Sequence, residues 1–478
     1  MPNNDPRRPL SVSRKVAALL LACTLVALGA AYPAAASASH TQPTYFEAPR
    51  DLLDPAHRED AFGQLNSLGV RALRTVLYWQ QVAPSPNSRT RPNFDATDPK
   101  NYNWGEFDAF MDGAQKRGWP VLLTVSGPVP QWATAGGKDH TTRPDPQQFQ
   151  QFMTAIGRHF GTKVQIWSIW NEPNHPQFLD PQYIKHRPAS PRIYRALVQA
   201  GVAGLHDAGL TSAKVLMGET APVGTTHDVA PLVFLRDTLC LNNHYKRAAS
   251  CSALPVDGYA NHAYTTTAGP FYKPPKDDVT IGVLSRLVHA LDAAWHAGAF
   301  PHQENIYLTE FGIQSKPNPF LGVPLDKQAE YQEISEHIAW SNPRVAAFSQ
   351  YLLRDDPNIS KPGASIRGGT VGFQSGLELA NGKQKPSYDG FRLPLVVHHS
   401  GGSVSLWGEV RPPNGENSTV QVQSLDKGSR KWQNLLTAHT DAGGYWGGHS
   451  VFRKNRRWRV IWTSPDKTVF TGPPIRAY

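Results

Sequence analysis

Eight short apolar runs recur between residues 44 and 394, with helix-period segments between most of them. They are "YFEAPR" near residue 45, "VRALRTVLYW" (70–79), "PVLLTVS" (120–126), "VQIWSIWNE" (164–172), "KVLMGE" (214–219), "VDGYANHAY" (256–264), "NIYLTEFG" (305–312) and "VAAFSQYLL" (345–353). A strand that is apolar at consecutive positions is buried on both faces, the condition of a parallel sheet covered by helices. The intervening segments supply those helices. In "WGEFDAFMDGAQKRG" (104–118), Phe107, Phe110, Met111 and Ala114 share one face and Gly118 ends the pattern. The segments 144–161 and 191–209 read the same way. Eight strand–helix units over about 350 residues predict an α/β fold, a closed (β/α)8 TIM barrel with long loops. A doubly wound open sheet is the alternative, but no Gly-x-Gly-x-x-Gly loop follows the first strand.

From residue 395 the texture changes to alternating runs such as "VSLWGEVR" and "RRWRVIWTS", split by Gly, Pro and Asn, which predicts a small C-terminal β-sandwich over 395–478. This unit is read as bracing the barrel, since sandwich cores also use Trp; the alternative is glycan binding, for which Trp407, Trp432, Trp446, Trp458 and Trp462 are available to stack. Residues 1–38 read as an export signal. Arg7, Arg8, Arg14 and Lys15 precede an apolar run from Val16 to Ala31, and Ala36-Ser37-Ala38 offers the cleavage site. The run is short for a membrane span, so a secreted, extracellular chain is expected, by either general or twin-arginine export, with its barrel domain over 39–394. Cys23 leaves with the signal. The remaining Cys240 and Cys251 predict one disulfide.

The formal net charge is +10, and from Leu395 onward 11 Lys and Arg face 5 Asp and Glu. Basic surfaces attract anionic polymers. An acidic or cell-wall glycan is therefore the expected partner, with "RKNRRWR" (453–459) as its contact, and nucleic acid is not expected for an exported chain.

Glu172 in "WSIWNEPN" and Glu310 in "IYLTEFG" each place a carboxylate at a strand end. In a parallel barrel, functional side chains gather at the C-terminal strand ends, and the fourth and seventh strands face each other across the mouth. Two convergent carboxyl groups are the minimum equipment for cleaving a glycosidic bond. In this order and spacing, "IWNEPN" and "YLTEFG" resemble the acid/base and nucleophile strands of clan A glycoside hydrolases, most nearly family 39, with family 5 as neighbour. "LRTVLYW" is similar to the clan's second strand and "NHAY" to its sixth, so the resemblance covers about residues 44–394.

The resemblance implies a retaining hydrolase of O-glycosyl compounds, with Glu172 as acid/base, Glu310 as nucleophile and no cofactor. It implies that Asn171 bonds the substrate 2-hydroxyl, that Arg74 lies near the nucleophile, and that His262 and Tyr264 line the site. Two positions depart from family 5. Ser126 stands where a His is usual, and "SQYLLRDD" lacks the usual platform Trp, for which Gln350 or Tyr351 stands in. Physical reasoning adds that Arg74 and Tyr264 stabilise an ionised Glu310, and that burial beside a second carboxylate raises Glu172. Trp79 and Trp132 are candidate sugar platforms and Glu219 a further sugar contact. The long segments 80–103 and 219–256 would wall a cleft, which favours endo action. The competing reading is a non-catalytic glycan-binding barrel. A serine hydrolase lacks its Gly-x-Ser-x-Gly elbow and a metallohydrolase its His-Glu-x-x-His. The expected protein is a monomer acting on a carbohydrate polymer or oligosaccharide.

Overall fold

The computed structural model describes residues 42–357, 372–413 and 418–478; the expected export signal lies outside the described residues. Eight strands form the barrel: β1 (Thr44–Glu47), β2 (Ala72–Tyr78), β3 (Val121–Ser126), β4 (Ile166–Ile169), β5 (Lys214–Thr220), β6 (Tyr259–Asn261), β7 (Ile306–Phe311) and β8 (Val345–Tyr351). Each is followed by a helix: α1 (Arg58–Ser67), α2 (Gly105–Lys116), α3 (Pro146–Phe160), α4 (Ser190–Asp207), α5 (Pro231–Thr238), α6 (Leu284–His296), α7 (Leu325–Trp340) and α8 (Pro386–Arg392). Neighbouring strands are parallel, and β1 pairs with both β2 and β8, which closes the sheet. The expected TIM barrel is thus the fold. The ladders of β4 and β6 are shorter than their apolar runs, so Glu172 and His262 lie just past strand ends.

Local chemistry explains the helices. In α3 the Asp145 carboxylate accepts from the backbone N–H of Gln147 (2.8 Å) and Gln148 (3.0 Å), and Pro146 occupies the first turn. Both satisfy a helix start that lacks internal partners. Phe149, Phe152, Ile156 and Phe160 are then buried along one side.

The barrel interior changes character in one step. Tyr45, Ala72, Leu122, Ile166, Leu216, Ala260, Tyr307 and Ala347, one from each strand, pack together as an apolar floor. Side chains alternate along a strand, so residues two positions further share that face. Those are Glu47, Arg74, Thr124, Ser168, His262, Thr309 and Ser349, all buried. At β5 the corresponding position is Gly218, and the strand departs from this pattern. Its register slips at Gly218–Thr220 against β6, with Gly218 at φ 107° and Glu219 at φ 44°. A Cβ at Gly218 would meet the Ala260 carbonyl oxygen at 2.4 Å. Glycine is required there, and the bulge places Glu219 in the polar layer.

The C-terminal residues form two antiparallel sheets. One is β9 (Leu395–Ser400), β10 (Ser403–Glu409) and β13 (Tyr445–Val451). The other is β12 (Gln433–His439), β11 (Thr419–Leu425), β14 (Arg457–Thr463) and β15 (Val469–Thr471), with β16 (Ile475–Arg476) also on β14. Trp407, Trp446, Trp458 and Trp462 are buried, and Trp432 lies under the Arg459 guanidinium. The basic run is less free than its sequence implied. Arg453 and Arg456 pair with Asp426, and Arg459 donates to Gln423.

These sheets are joined to the barrel through buried polar groups. The Leu395 N–H donates to Glu333 of α7 (3.1 Å), and Arg411 pairs with Glu336 of α7 and with Glu409 (2.6 Å), while donating to the Phe391 carbonyl (2.7 Å). Cys240 and Cys251 are bonded, as expected, and close the loop after α5.

Removing one partner of a buried pair strands the other charge. Arg411→Ala is therefore expected to lower unfolding free energy by about 3–5 kcal/mol in denaturant titration. Arg453→Ala, at a largely exposed ion pair, is expected to leave the midpoint nearly unchanged.

Candidate active site

The run "WSIWNEPN" works as an anchored hinge. β4 leaves its ladder after Ile169, and Trp170 turns into the left-handed region at φ 73°. Its indole is fully buried and donates to the Phe178 carbonyl (3.1 Å). Glu172 is left-handed again, at φ 40°, and its N–H donates to the Glu219 carbonyl (3.0 Å). Two such non-glycine residues cost about 1–3 kcal/mol each, and a surrounding structure must enforce them. Here the Asn171 N–H donates to Ser126 Oγ (3.0 Å). The Asn174 amide donates to the carbonyls of Ala221 (3.1 Å) and Val229 (2.9 Å) and accepts from the Ala221 N–H (2.8 Å). The apolar residues fix the strand end; Asn171 and Glu172 project from it.

Arg74, completely buried in the polar layer, lies at the centre. Its guanidinium donates to Glu47, Glu219 (2.7 Å), Glu310 (2.9 Å) and the Asn171 side-chain oxygen (2.9 Å), and its Nε to Thr124 (3.3 Å). His262, also fully buried, places Nδ1 3.0 Å from Glu172 and 3.8 Å from Glu310, with Nε2 3.8 Å from Glu219. The Tyr264 hydroxyl donates to the other oxygen of Glu310 (2.7 Å).

Glu47, Glu172 and Glu219 do not titrate alike. Burial raises Glu47, the Arg74 charge opposes, and Glu47 ends at about 8. Burial also raises Glu219, but the Arg74 charge and the His262 hydrogen bond outweigh it and hold Glu219 at about 2. For His262, burial lowers the pKa while Glu310, Glu172 and Glu219 raise it, to about 10. Burial likewise raises Glu172, yet the His262 hydrogen bond and charge leave it below the ordinary value. The expected elevation of Glu172 is therefore corrected: its nearest partner is an imidazolium. Burial and the Glu310 charge raise the Tyr264 phenol, which keeps it a neutral donor.

Access separates the four carboxyl groups into two pairs. The side chains of Glu172 and Glu310 are 17% and 11% exposed, whereas those of Glu47 and Glu219 are 3% and 0%. Aromatic rings of differing exposure pack near the two open ones, from fully buried Phe311 to exposed Phe373. Tyr264 stacks on Phe311 (6.0 Å) and lies 6.1 Å from Phe373, Tyr351 meets Phe373 edge-on (5.2 Å), and Tyr78 stacks on Phe178 (6.2 Å).

Several sequence expectations are thereby redrawn. Trp79 is completely buried, stacked on Phe152 of α3 (4.9 Å) and edge-on to Trp132 (5.6 Å). Trp132 is 5% exposed and donates to the Pro84 carbonyl. Both fill the space between barrel and helices, where no sugar reaches them. Arg74 and His262, grouped by resemblance with the site-lining residues, lie behind the carboxylates and touch those rather than open space. Glu219 is a buried counter-charge, and Gln350 spends its amide on the carbonyls of Tyr351 and Ser375. Tyr351 remains open beside Glu310. Glu47 was missed; its signal was a carboxylate ending the first apolar run, the same signal as Glu172 and Glu310. Among the described residues no group of His, Cys, Asp and Glu is arranged to hold a metal ion, and no helix is long and apolar enough to cross a membrane.

A TIM barrel with a carboxylate pair in its mouth is the class that fold and site define together. No protein-family model and no curated protein matches the sequence. Solved structures do match. A glucosidase from Croceicoccus marinus has 11% sequence identity over 88% of this chain and 94% of that one, with a TM-score of 0.51. A monomeric β-xylosidase from Caulobacter crescentus CB15 has 15% identity over 90% and 96%, with a TM-score of 0.47. At such identities the likeness is one of fold.

The pKa directions fix a pH prediction. His262 rises from 6.5 to about 10 on folding, so its stabilisation is complete below pH 6.5 and lost as pH climbs through about 10. Glu219 falls from 4.5 to about 2, so its contribution is present above pH 4.5 and lost as pH falls toward 2. In denaturant titrations across this range, His262→Gln is expected to flatten the alkaline limb of the stability profile, and Glu219→Gln the acid limb.

Proposed function

We propose that this chain is a secreted retaining glycoside hydrolase that cleaves O-glycosidic bonds of a polysaccharide or oligosaccharide by double displacement. The observation that carries the reading is the convergence of the two accessible carboxylates on one ring nitrogen, His262 Nδ1, at 3.0 and 3.8 Å. Their contacting oxygens are at most about 7 Å apart, which accommodates the ~5–5.5 Å of a retaining pair, and the retaining outcome itself rests on the resemblance. A glucosidase with this barrel supports the same class of activity. Within clan A the Asn-Glu-Pro and Thr-Glu-Phe-Gly elements favour family 39, and secretion rests on the N-terminal segment.

Glu310 is the nucleophile. Arg74 and Tyr264 hold one oxygen each, which aims the carboxylate at the anomeric carbon. As the bond from that carbon to the leaving oxygen breaks, the oxygen takes a proton from Glu172 and the carbon forms an ester with Glu310. Glu172 receives this proton from His262 across their 3.0 Å contact. The Glu310 charge, foremost among the groups that raise His262, is consumed in the ester, so the imidazolium releases its proton most readily at that stage. Water then attacks the same carbon and gives its proton to Glu172, which returns it to His262, and Glu310 leaves as the carboxylate. Asn171, its oxygen tied to Arg74, turns its NH2 toward the 2-hydroxyl.

The test is product chromatography of the protein on plant, microbial and acidic polysaccharides and on aryl glycosides. Glu172→Gln and Glu310→Gln are each expected to lose activity by at least about 10²–10⁴-fold. With azide, Glu310→Gly is expected to yield an inverted glycosyl azide, because azide enters the vacated face. Glu172→Gly is expected to yield a retained one through the ester. Unchanged products from both Gln variants would refute the site, and polymer retention without cleavage would establish a binding protein instead. In His262→Gln, the acid-catalysed step is expected to slow most for substrates with poor leaving groups.

A further inference from the structure

A second surface, built from other residues, lies on the outer wall of the barrel. Two concave regions of about 750 and 770 Å³ adjoin there and share Arg187, Pro188 and Arg192. Their walls are the loop after β3, the hairpin after β4 (Tyr183–Ile184 with Arg187–Pro188), the first turns of α4 and the disulfide loop after α5. Six cationic side chains line them: Arg143, Arg187, Arg192, Arg195, Lys246 and Arg247. Among the described residues none of the six makes an ion pair with a carboxylate.

What holds these groups does not neutralise them. Arg195 donates to the carbonyls of Thr238 (3.1 Å) and Ser252 (2.6 Å), and Arg247 to those of Cys251 (2.6 Å) and Ala297 (3.2 Å). The two guanidinium groups are close enough that burial and then the Arg247 charge lower Arg195. The lining contains two acids. Asp145 is committed to the start of α3, and burial raises Asp237, with Arg236 opposing. The hairpin adds a second observation. Its turn residues, Lys185 (φ 48°) and His186 (φ 60°), are exposed and left-handed, a conformation that favours Asn and Gly. The fold holds basic side chains at strained positions that smaller residues would occupy more easily.

We infer that this trough binds an acidic polysaccharide, its guanidinium groups engaging successive carboxylate or sulfate groups of one extended chain. Guanidinium forks match such anions in two-point contacts. Each concavity has the volume of a small-molecule pocket, room for a few sugar units of a single chain rather than a duplex. Neither lining contains an aromatic ring on which unpaired bases would stack. The hairpin and the β3 loop that form its upper end follow the strands carrying Glu172 and Ser126, so a chain held here reaches the rim of the candidate active site.

The test measures binding of the full chain to polygalacturonate, dextran sulfate, neutral dextran and a DNA duplex at several salt concentrations. The triple variant Arg143→Gln/Arg187→Gln/Arg192→Gln removes cations that make no structural hydrogen bond. Lys427→Gln/Arg430→Gln/Lys431→Gln removes the same charge from an exposed turn of the C-terminal sheets. The trough variant is expected to bind an acidic polysaccharide at least tenfold more weakly, with a salt slope shallower by about 2 to 3. The matched control is expected to bind like the parent. Polygalacturonate binding assigns the anion as carboxylate, and binding of dextran sulfate alone assigns it as a sulfate ester. Equal losses in both triples, equal binding of DNA, or no polyanion binding by the parent would overturn the inference. Glu172→Gln and Glu310→Gln are expected to bind like the parent, which separates this surface from the proposed catalysis.

Discussion

The buried guanidinium of Arg74 is the interaction on which the barrel mouth depends. A lone cation at that depth would be prohibitively desolvated, and so would the carboxylates of Glu47, Glu219 and Glu310. Together they satisfy one another, with the Asn171 side chain completing the set. His262 adds a second cation, which biases Glu172 and Glu219 toward ionisation, while burial keeps Glu47 near 8. One network therefore sets both the position of the exposed carboxylates and the charge behind them. Because its members come from six strands or the residues just past them, it also ties the strand ends to one another.

Backbone strain recurs at the same rim. Trp170, Glu172 and Glu219 are the left-handed non-glycine residues at the ends of β4 and β5, and the loops beyond them are clamped by Asn174. Below the rim lie two apolar cores, the floor inside the barrel and the larger one between strands and helices. The structure thus stores conformational cost where a substrate would sit and recovers it from a large core, the arrangement expected of a pre-organised site.

Much of this was legible along the chain. Eight doubly buried strands with amphipathic segments between them leave few ways to close a sheet, and the barrel follows. Glu172 and Glu310 stood out because a charge ending an apolar run needs a reason. Glu47 carried the same signal and was overlooked, since its strand is only four residues long. Trp79 and Trp132 misled for a definite reason. A ring just after a strand can turn into the mouth or back under the helix layer, and the choice depends on partners such as Phe152 that lie far along the chain. Nor could spacing reveal that the C-terminal arginines find Asp426 while those around Arg187 and Arg192 find no carboxylate.

By itself the sequence determined the barrel, the change to antiparallel sheets near residue 395, the disulfide pair and the two strand-end carboxylates. Each of these is written in local pattern: periodicity, turn residues, or a polar group where burial is otherwise complete. Only the tertiary structure decided which carboxylates open to solvent, that an imidazolium lowers Glu172 rather than a neighbouring carboxylate raising it, and where unpaired positive charge collects. Those depend on distances between residues from different strands, and Coulomb energies and desolvation follow distance and burial, which the order of residues along a chain does not encode.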